Sequence, residues 1–310
     1  MRTRQWLPSV TLVLLGATRM MTPPAAPSVL HAQPVQTPPA FHQDVSWSPD
    51  GRHLAFSASR NPGENDWHLY RADVDTGTVQ SLTNGAAADQ WAAWSPDGRR
   101  VAYASAPKGQ PSDIYVVETD GTAPAVRLTV EDGQRSSQVA WSRDGRSLAF
   151  VSKRGSPHQQ LWVMASDGSH QHAITSIEAD AECPQWSPDS RQLVFYKDAG
   201  DHRDQVWIVD VDGTHLTPVT HDAANNIYPS WTPSGEVVWS RQVGDTSTVV
   251  RAKPDGSSAT PLVPQPAFFA RVSPDGQSIA LILGHYPSTT LTVCDNRGAH
   301  CRVIDPKPGG

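Results

Sequence analysis

The sequence predicts an all-β protein, a six-bladed β-propeller of four-stranded antiparallel blades. One short segment returns six times, as WSPDG at 47–51 and 94–98, WSRDG at 141–145, WSPDS at 186–190, WTPSG at 231–235 and VSPDG at 272–276. The copies begin 47, 47, 45, 45 and 41 residues apart, the length of one propeller blade. A second turn, Asp-Gly, recurs at 120–121, 167–168, 212–213 and 255–256, which adds another hairpin to each unit.

The second unit shows how one blade is built. A strand that ends at Trp94 is followed by three more, predicted at 101–106, 113–119 and 125–129. In the turn between the first two strands, Pro96 has the fixed φ that the second position requires, and Gly98 can take the left-handed conformation that closes a hairpin. Asp97 stabilises the turn through nearby backbone groups, so we interpret the repeated Asp as structural rather than as a calcium ligand or a catalytic acid.

The second strands of the units predict how the blades pack. Residues 54–59, 148–153 and 193–198 are nearly continuous apolar runs, which is typical of strands that are buried on both faces. The Trp of each motif is expected to fill the space between neighbouring blades.

Length and charge limit the function classes. A closed array of repeats can form a single domain from a chain of 310 residues. The net charge is −6, and residues 1–32 carry three arginines and no acid, so the remainder has 22 basic and 31 acidic residues, a net charge of −9. A chain this acidic is a poor candidate for binding nucleic acid.

The N-terminal residues predict export. Arg2 and Arg4 precede an apolar run at 7–17, so we interpret residues 1–32 as a signal peptide that is cleaved after Ala32 or after Ala17. The run has 11 residues, fewer than the roughly 20 that a spanning helix needs, so no transmembrane anchor is expected after cleavage. A Pro-rich linker at 33–40 then leads into the propeller at 41–310, and the expected location is periplasmic or secreted.

The three cysteines fit an exported protein. Cys294 and Cys301 flank a short turn that would place them opposite each other on paired strands, so a disulfide is expected between them. Cys183 is then free, and we expect it to be buried as a small apolar residue.

The repeated unit resembles a known family. The segment W-S-P-D-G-R with an apolar triplet, then a strand with I/L-Y/W-V, then D-G and R-L-T, is similar to the TolB-like repeat, also called the WD40-like or PD40 repeat. The resemblance covers essentially the whole predicted mature chain and implies a six-bladed propeller. TolB itself is a periplasmic protein whose propeller contacts a peptidoglycan-associated lipoprotein. It carries an N-terminal α/β domain for which this sequence shows no counterpart, so we expect a stand-alone propeller.

Candidate site residues lie where the chain enters the innermost strand of each blade, because propellers usually bind ligands at the tunnel mouth formed there. These segments vary between the repeats, while the rest of the unit is copied. They contain His42, Asp44, Asp89, Trp91, Arg135, Gln138, Glu182, Asn226, Tyr228, Phe269 and Arg271. The alternative interpretation is that they are solvated loop residues.

No cofactor is expected from the sequence. A divalent metal in the tunnel is an alternative that no motif supports. Two sets of loop or strand residues contain side chains that can bind a metal: His202 with Asp201 or Asp204, and the pair His170 and His172. Neither set has a visible third partner from another element.

Two functions remain open at this point. The first is a non-catalytic, monomeric module that binds a protein or an extended peptide of the cell envelope. The second is a propeller enzyme, a metal-assisted lyase, lactonase or hydrolase, which predicts that Glu182, Asn226, His42 and Asp89 converge in the tunnel.

Overall fold

The computed structural model describes residues 41–59, 66–120, 123–130, 134–200, 202–263, 265–285 and 288–304. Within these ranges the chain forms 24 strands and six four-stranded antiparallel sheets. The predicted six-bladed, all-β propeller is confirmed. The predicted signal peptide at 1–32 and linker at 33–40 lie outside the described residues.

Each blade consists of four consecutive strands. The bounds in blades 1 to 3 are β1 Phe41–Trp47, β2 His53–Ser59, β3 His68–Asp73 and β4 Val79–Ser81; β5 Ala88–Trp94, β6 Arg100–Ala106, β7 Asp113–Glu118 and β8 Val126–Arg127; and β9 Ser136–Trp141, β10 Ser147–Ser152, β11 Gln160–Ala165 and β12 His172–Ala173. Those in blades 4 to 6 are β13 Ala181–Trp186, β14 Gln192–Asp198, β15 Asp204–Asp210 and β16 Thr217–Pro218; β17 Asn225–Trp231, β18 Val237–Val243, β19 Thr246–Ala252 and β20 Thr260–Val263; and β21 Ala267–Val272, β22 Ser278–His285, β23 Ser288–Asp295 and β24 Arg302–Val303.

The ring closes by packing blade 1 against blade 6, and the described residues exchange no strand between these two blades. The backbone N–H of His42 donates to Thr289 Oγ1 at 2.8 Å, and the indole Nε1–H of Trp47 donates to the carbonyl oxygen of Arg271 at 2.8 Å. Apolar side chains of both blades share one buried cluster around Phe56 and Ile282. The first and last described units are therefore joined in the same way as the interior ones.

The motif turns are held by a repeated hydrogen-bond set. Asp50 Oδ1 accepts from Ser48 Oγ at 2.6 Å and from the backbone N–H of Arg52 at 3.0 Å, while Ser48 Oγ accepts from the N–H of His53 at 2.9 Å. The same pattern recurs in four of the other five turns, at Asp97, Asp144, Asp189 and Asp275. The repeated Asp therefore stabilises the turn, and the hydrogen bond from Ser48 lowers the pKa of Asp50.

The motif tryptophans lie between blades. Trp94 packs with Ala55 and Leu69 of blade 1, and Trp186 packs with Ala140 of blade 3, whose carbonyl oxygen accepts from the indole N–H at 3.1 Å. Each large ring thus buries its area against the preceding blade, a contribution of about 1.5–3 kcal/mol per aromatic or aliphatic side chain.

The outermost strands are shorter than the sequence suggests. The strand predicted at 125–129 contains only Val126–Arg127. It ends early because the hydroxyl of Thr129 takes over as acceptor for the N–H of Ile114, at 2.9 Å. The Thr of the other Leu-Thr, Ile-Thr and Val-Thr segments bonds the third strand of its blade in the same way, at Thr83, Thr175 and Thr220.

The glycines of the Asp-Gly turns are required by the neighbouring blade. Gly213 has a φ of +84°, and a Cβ atom placed there would lie 2.6 Å from the carbonyl oxygen of Ile174 in blade 3. Gly235 in a motif turn has a nearly equal φ of +85° but no atom within 4 Å of such a Cβ. The first glycine thus permits close contact between blades, and the second serves only the turn.

Cys294 and Cys301 are joined by a disulfide between β23 and the residue before β24, and Cys183 is free and buried. Within the described ranges no helix is long and apolar enough to cross a membrane.

Comparison of two glycine substitutions tests the contact between blades. Gly235→Ala should lower the free energy of unfolding by about 1–2 kcal/mol, because alanine disfavours the left-handed conformation. Gly213→Ala should lower it by about 1–3 kcal/mol more, because the added methyl group also overlaps the Ile174 carbonyl oxygen. Urea unfolding of both variants measures the difference, and equal losses would show that the neighbouring blade yields to the methyl group.

Candidate functional site

Each innermost strand carries a β-bulge three residues before the Trp position of its motif. Pairing with the second strand shifts register there in all six blades. The bulged residues have φ values between 49° and 64°, a conformation that side chains other than glycine seldom adopt: Asp44, Trp91, Gln138, Cys183, Tyr228 and Phe269. Five of these six were candidates from the sequence. A bulge bends its strand, so this ring of residues defines the middle of the tunnel.

Three candidate residues lie in blade interfaces instead of the tunnel. His42, Asp89 and Asn226 precede the bulge by two residues, and they are 3 %, 0 % and 0 % exposed. Burial lowers the pKa of His42 to about 4 and raises the pKa of Asp89 to about 6.

The side-chain amide of Asn226 forms hydrogen bonds with three other side chains. It donates to Gln205 Oε1 at 3.1 Å and to Asp222 Oδ1 at 2.8 Å, and it accepts from Trp239 Nε1–H at 2.8 Å.

His42 bonds to Thr289 of blade 6, the backbone N–H of Asp89 bonds to the carbonyl oxygen of Trp67 in blade 1, and Asn226 bonds to Gln205 of blade 4. The three residues therefore lie in different blade interfaces.

The face at which the innermost strands begin, here called the mouth face, is acidic at blade 4. Glu182 Oε2 accepts from the Tyr196 hydroxyl at 2.8 Å and from Gln138 Nε2–H at 3.4 Å. Burial raises the pKa of Asp204, and the nearby carboxylates of Glu182 and Asp198 raise it further. Arg135 is exposed on this face and lines a cavity of about 280 Å³ between blades 2 and 3.

Aromatic rings meet in the middle of the tunnel. The rings of Tyr228 and Phe269 stack with centroids 3.8 Å apart, and Phe269 contacts Trp91 edge to face at 5.9 Å. Trp91 belongs to blade 2 and Phe269 to blade 6, so their contact crosses the tunnel past blade 1. We call Trp91, Tyr228 and Phe269 the aromatic plug.

Asp44 is a buried carboxyl group beside this plug, 4 % exposed. It accepts hydrogen bonds from Ser57 Oγ at 2.5 Å and from the backbone N–H groups of Trp91 at 2.7 Å and Ala92 at 3.3 Å. Burial raises its pKa to about 7, although these hydrogen bonds and the charge of Arg271 act in the opposite direction. Asp44 therefore joins blade 1 to the bulge of blade 2.

The best-formed cavity opens on the opposite face, which carries the six motif turns and is here called the motif face. Its volume is about 230 Å³. Its walls include the motif tryptophans Trp47, Trp94, Trp141, Trp186 and Trp231. The residues that directly precede the motif position also line it: Ser46, Ala93, Ala140, Gln185, Ser230 and Arg271.

Four of the residues predicted from the sequence line this cavity: Asp44, Trp91, Gln138 and Arg271. Cys183, Gln185, Ser230 and Arg143 also line it but were not predicted as site residues, because the prediction was confined to the segments that enter the innermost strand. Counting one and three positions back from each motif Trp would have found most of the missing residues, because the repeat places those positions alike in all blades.

The histidines named as possible metal ligands are all exposed. His170 and His172 are exposed, and His202 Nδ1 lies 3.7 Å from Asp198 Oδ2. No group of three or more His, Cys, Asp or Glu side chains in the described ranges is close enough together to hold a metal ion. Asp201, the other proposed ligand, lies outside those ranges.

The raised pKa of Asp44 predicts a pH dependence of stability. Between about pH 4 and 7 the native state holds a proton on Asp44 that the unfolded chain has released, so the free energy of unfolding falls as the pH rises. Asp44→Asn removes this fall. The difference in the free energy of unfolding between the variant and the wild type should therefore shift in favour of the variant by up to about 4 kcal/mol as the pH rises from 4 to 8.

Urea unfolding across this pH range measures the effect, with Asp50→Asn as the control. The pKa of Asp50 is lowered in the folded state, so its loss should change the free energy of unfolding by a constant amount above about pH 5. Parallel curves for the wild type and Asp44→Asn would contradict the prediction.

Comparison with known proteins identifies the fold. The structure is similar to a putative TolB from Agrobacterium tumefaciens, with a TM-score of 0.62 and 24% identity over 76% of this chain and 87% of that chain. It is similar to TolB from Acinetobacter baumannii, with a TM-score of 0.66 and 17% identity over 89% of this chain and 65% of that chain.

A third similar structure is an enzyme. It is the oligogalacturonate lyase from Vibrio parahaemolyticus, with a TM-score of 0.60 and 14% identity over 90% of this chain and 86% of that chain. At these identities the three likenesses show the propeller fold alone. No curated protein matches the sequence.

The family is shown by the sequence itself. The family model of the TolB beta propeller domain matches residues 33–202 and, in an overlapping second match, residues 139–306. Because the two matches together span most of the 310 residues, the chain belongs to the TolB beta propeller family.

Proposed function

We propose that the protein is an exported, non-catalytic binding module of the cell envelope that takes a protein or an extended peptide at the motif-face cavity. Membership of the TolB propeller family and the predicted signal peptide support this function. The periplasm, or the medium outside the cell, is the compartment in which it acts.

The observation that carries the proposal is the cavity itself. It has about 230 Å³, which is less than the roughly 300–1,000 Å³ typical of small-molecule sites. A cavity of this size admits a side chain or a chain end better than a whole metabolite. Trp47, which is half-buried, and the edges of the other motif tryptophans offer the aromatic contacts that are enriched at protein interfaces.

The enzymatic alternative rested on convergence of His42, Asp89, Glu182 and Asn226 in the tunnel. His42, Asp89 and Asn226 are buried in separate blade interfaces. This separation supports the binding function over the enzymatic alternative.

A pair of Gln→Trp variants tests the location of binding. Gln185 lines the cavity and is half-buried, so Gln185→Trp should fill it and abolish capture of the partner from an envelope extract by the immobilised protein. Gln110 is exposed at the mouth face, so Gln110→Trp should leave capture unchanged.

Quantitative mass spectrometry of the captured proteins measures both results. If only Gln110→Trp abolishes capture, the partner binds at the mouth face instead of the motif-face cavity. Equal capture by the two variants and the wild type would contradict binding in the tunnel altogether.

Export has its own test. Expression of the full chain in a bacterial host should give a protein in the periplasm or the medium whose first residue is Gln33, or Thr18 for cleavage after Ala17. N-terminal sequencing of the recovered protein identifies the residue. A cytoplasmic protein that retains Arg2 and Arg4 would contradict export.

A further inference from the structure

The motif-face cavity contains two arginines at positions where the other repeats have none. Arg143 occupies the place of the motif proline, which is present in the other five copies at Pro49, Pro96, Pro188, Pro233 and Pro274. Arg271 directly precedes the motif position, where the other five blades have Ser, Ala, Ala, Gln and Ser. Both side chains line the cavity. Both positive charges are therefore departures from the copied scaffold.

Neither guanidinium group is neutralised within the described part of the chain. Arg271 Nη1–H donates to the carbonyl oxygens of Ala270 at 3.1 Å and Tyr228 at 3.5 Å, and no described carboxylate oxygen lies within 4.0 Å of its nitrogens. Arg143 makes no hydrogen bond or ion pair with the described residues. Burial lowers the pKa of Arg271, which reflects the energy needed to keep it charged there, whereas Arg143 is exposed at the rim of the cavity.

The carboxyl group of Asp44 cannot take this role. It is the one carboxyl group among the cavity's described lining residues, and the Ser57 hydroxyl and two backbone N–H groups already occupy its oxygens. Moving it toward Arg271 would leave those N–H donors unsatisfied in a buried place. The cavity is therefore cationic, in a chain whose net charge is −6.

The cavity is open at the motif face, so a side chain of a partner can enter it from there. Apolar walls lower the local dielectric constant relative to bulk water, which strengthens charge pairing. Guanidinium groups match carboxylates through paired N–H donors.

We propose that Arg143 and Arg271 bind the carboxylate of an acidic side chain in an extended apolar segment of the partner protein. This inference rests on the proposed binding function and specifies the partner's chemistry at the same cavity. The tryptophan walls take the apolar neighbours of the acid, and the two guanidinium groups replace the water that its carboxylate loses.

Two end-blocked peptides test this recognition, acetyl-Glu-Leu-Glu-Leu-amide and acetyl-Gln-Leu-Gln-Leu-amide, which differ only in their side-chain carboxylates. Isothermal titration of the purified protein should give an affinity for the acidic peptide at least about tenfold higher, and the difference should shrink at high salt. Equal affinities would overturn the proposal. An affinity for inorganic phosphate as high as for the acidic peptide would also overturn it, because the site would then bind free anions.

The variants separate charge from structure. Arg271→Gln and Arg143→Pro should each lower the affinity for the acidic peptide about tenfold and leave the glutamine peptide unaffected. Arg143→Lys should keep most of the affinity. Arg135→Gln on the mouth face makes the same change as Arg271→Gln outside the cavity and should have no effect. Arg143→Pro restores the residue that the other five motifs carry, so it preserves the turn even if Arg271→Gln unfolds.

Capture of the envelope partner distinguishes this inference from the function on which it rests. If Gln185→Trp abolishes capture and Arg143→Pro does not, the cavity binds a partner but not through an acid, and the inference fails alone. If Gln185→Trp has no effect on capture, the proposed function itself fails. Loss of capture with both variants supports both.

Discussion

The structure depends on burial of both faces of each blade against its neighbours. A second strand such as β2 contains Leu54, Ala55 and Phe56, all fully buried, so no blade could satisfy its apolar surface alone. The motif Trp and the Asp-Gly turn both contact the preceding blade, the Trp by filling space and the turn by close approach. Blades 1 and 6 form the same kind of contact, and the described residues share no strand between them.

This constraint explains why so much of the fold could be predicted. The spacing of the motif copies, the proline and glycine of the turns and the apolar runs all report local requirements that every blade must meet. The serine and aspartate of each motif are equally local, since Asp50 bonds only within its own turn. Such requirements repeat in the sequence because the geometry repeats in space.

The site was harder to predict because of the bulge. His42 and Asp44 are two residues apart on a strand, and regular alternation would direct both to the same face. The bulge at Asp44 reverses the direction in which the side chain points, so His42 faces a blade interface while Asp44 faces the tunnel. The same difference separates Asp89 from Trp91 and Asn226 from Tyr228. The positive φ falls on Asp, Trp, Gln, Cys, Tyr and Phe, and no residue preference marks it. The two arginines are visible in the sequence as departures from the repeat, but they lie in blades 3 and 6, and only the structure shows that both line one cavity.

The two faces of the ring differ in charge. The mouth face carries Glu182 and Asp204 at blade 4, and the motif face carries Arg143 and Arg271 around its cavity. A partner that approaches along the axis of the propeller therefore meets a different charge at each end, so the sign of its own charge selects the face that it contacts.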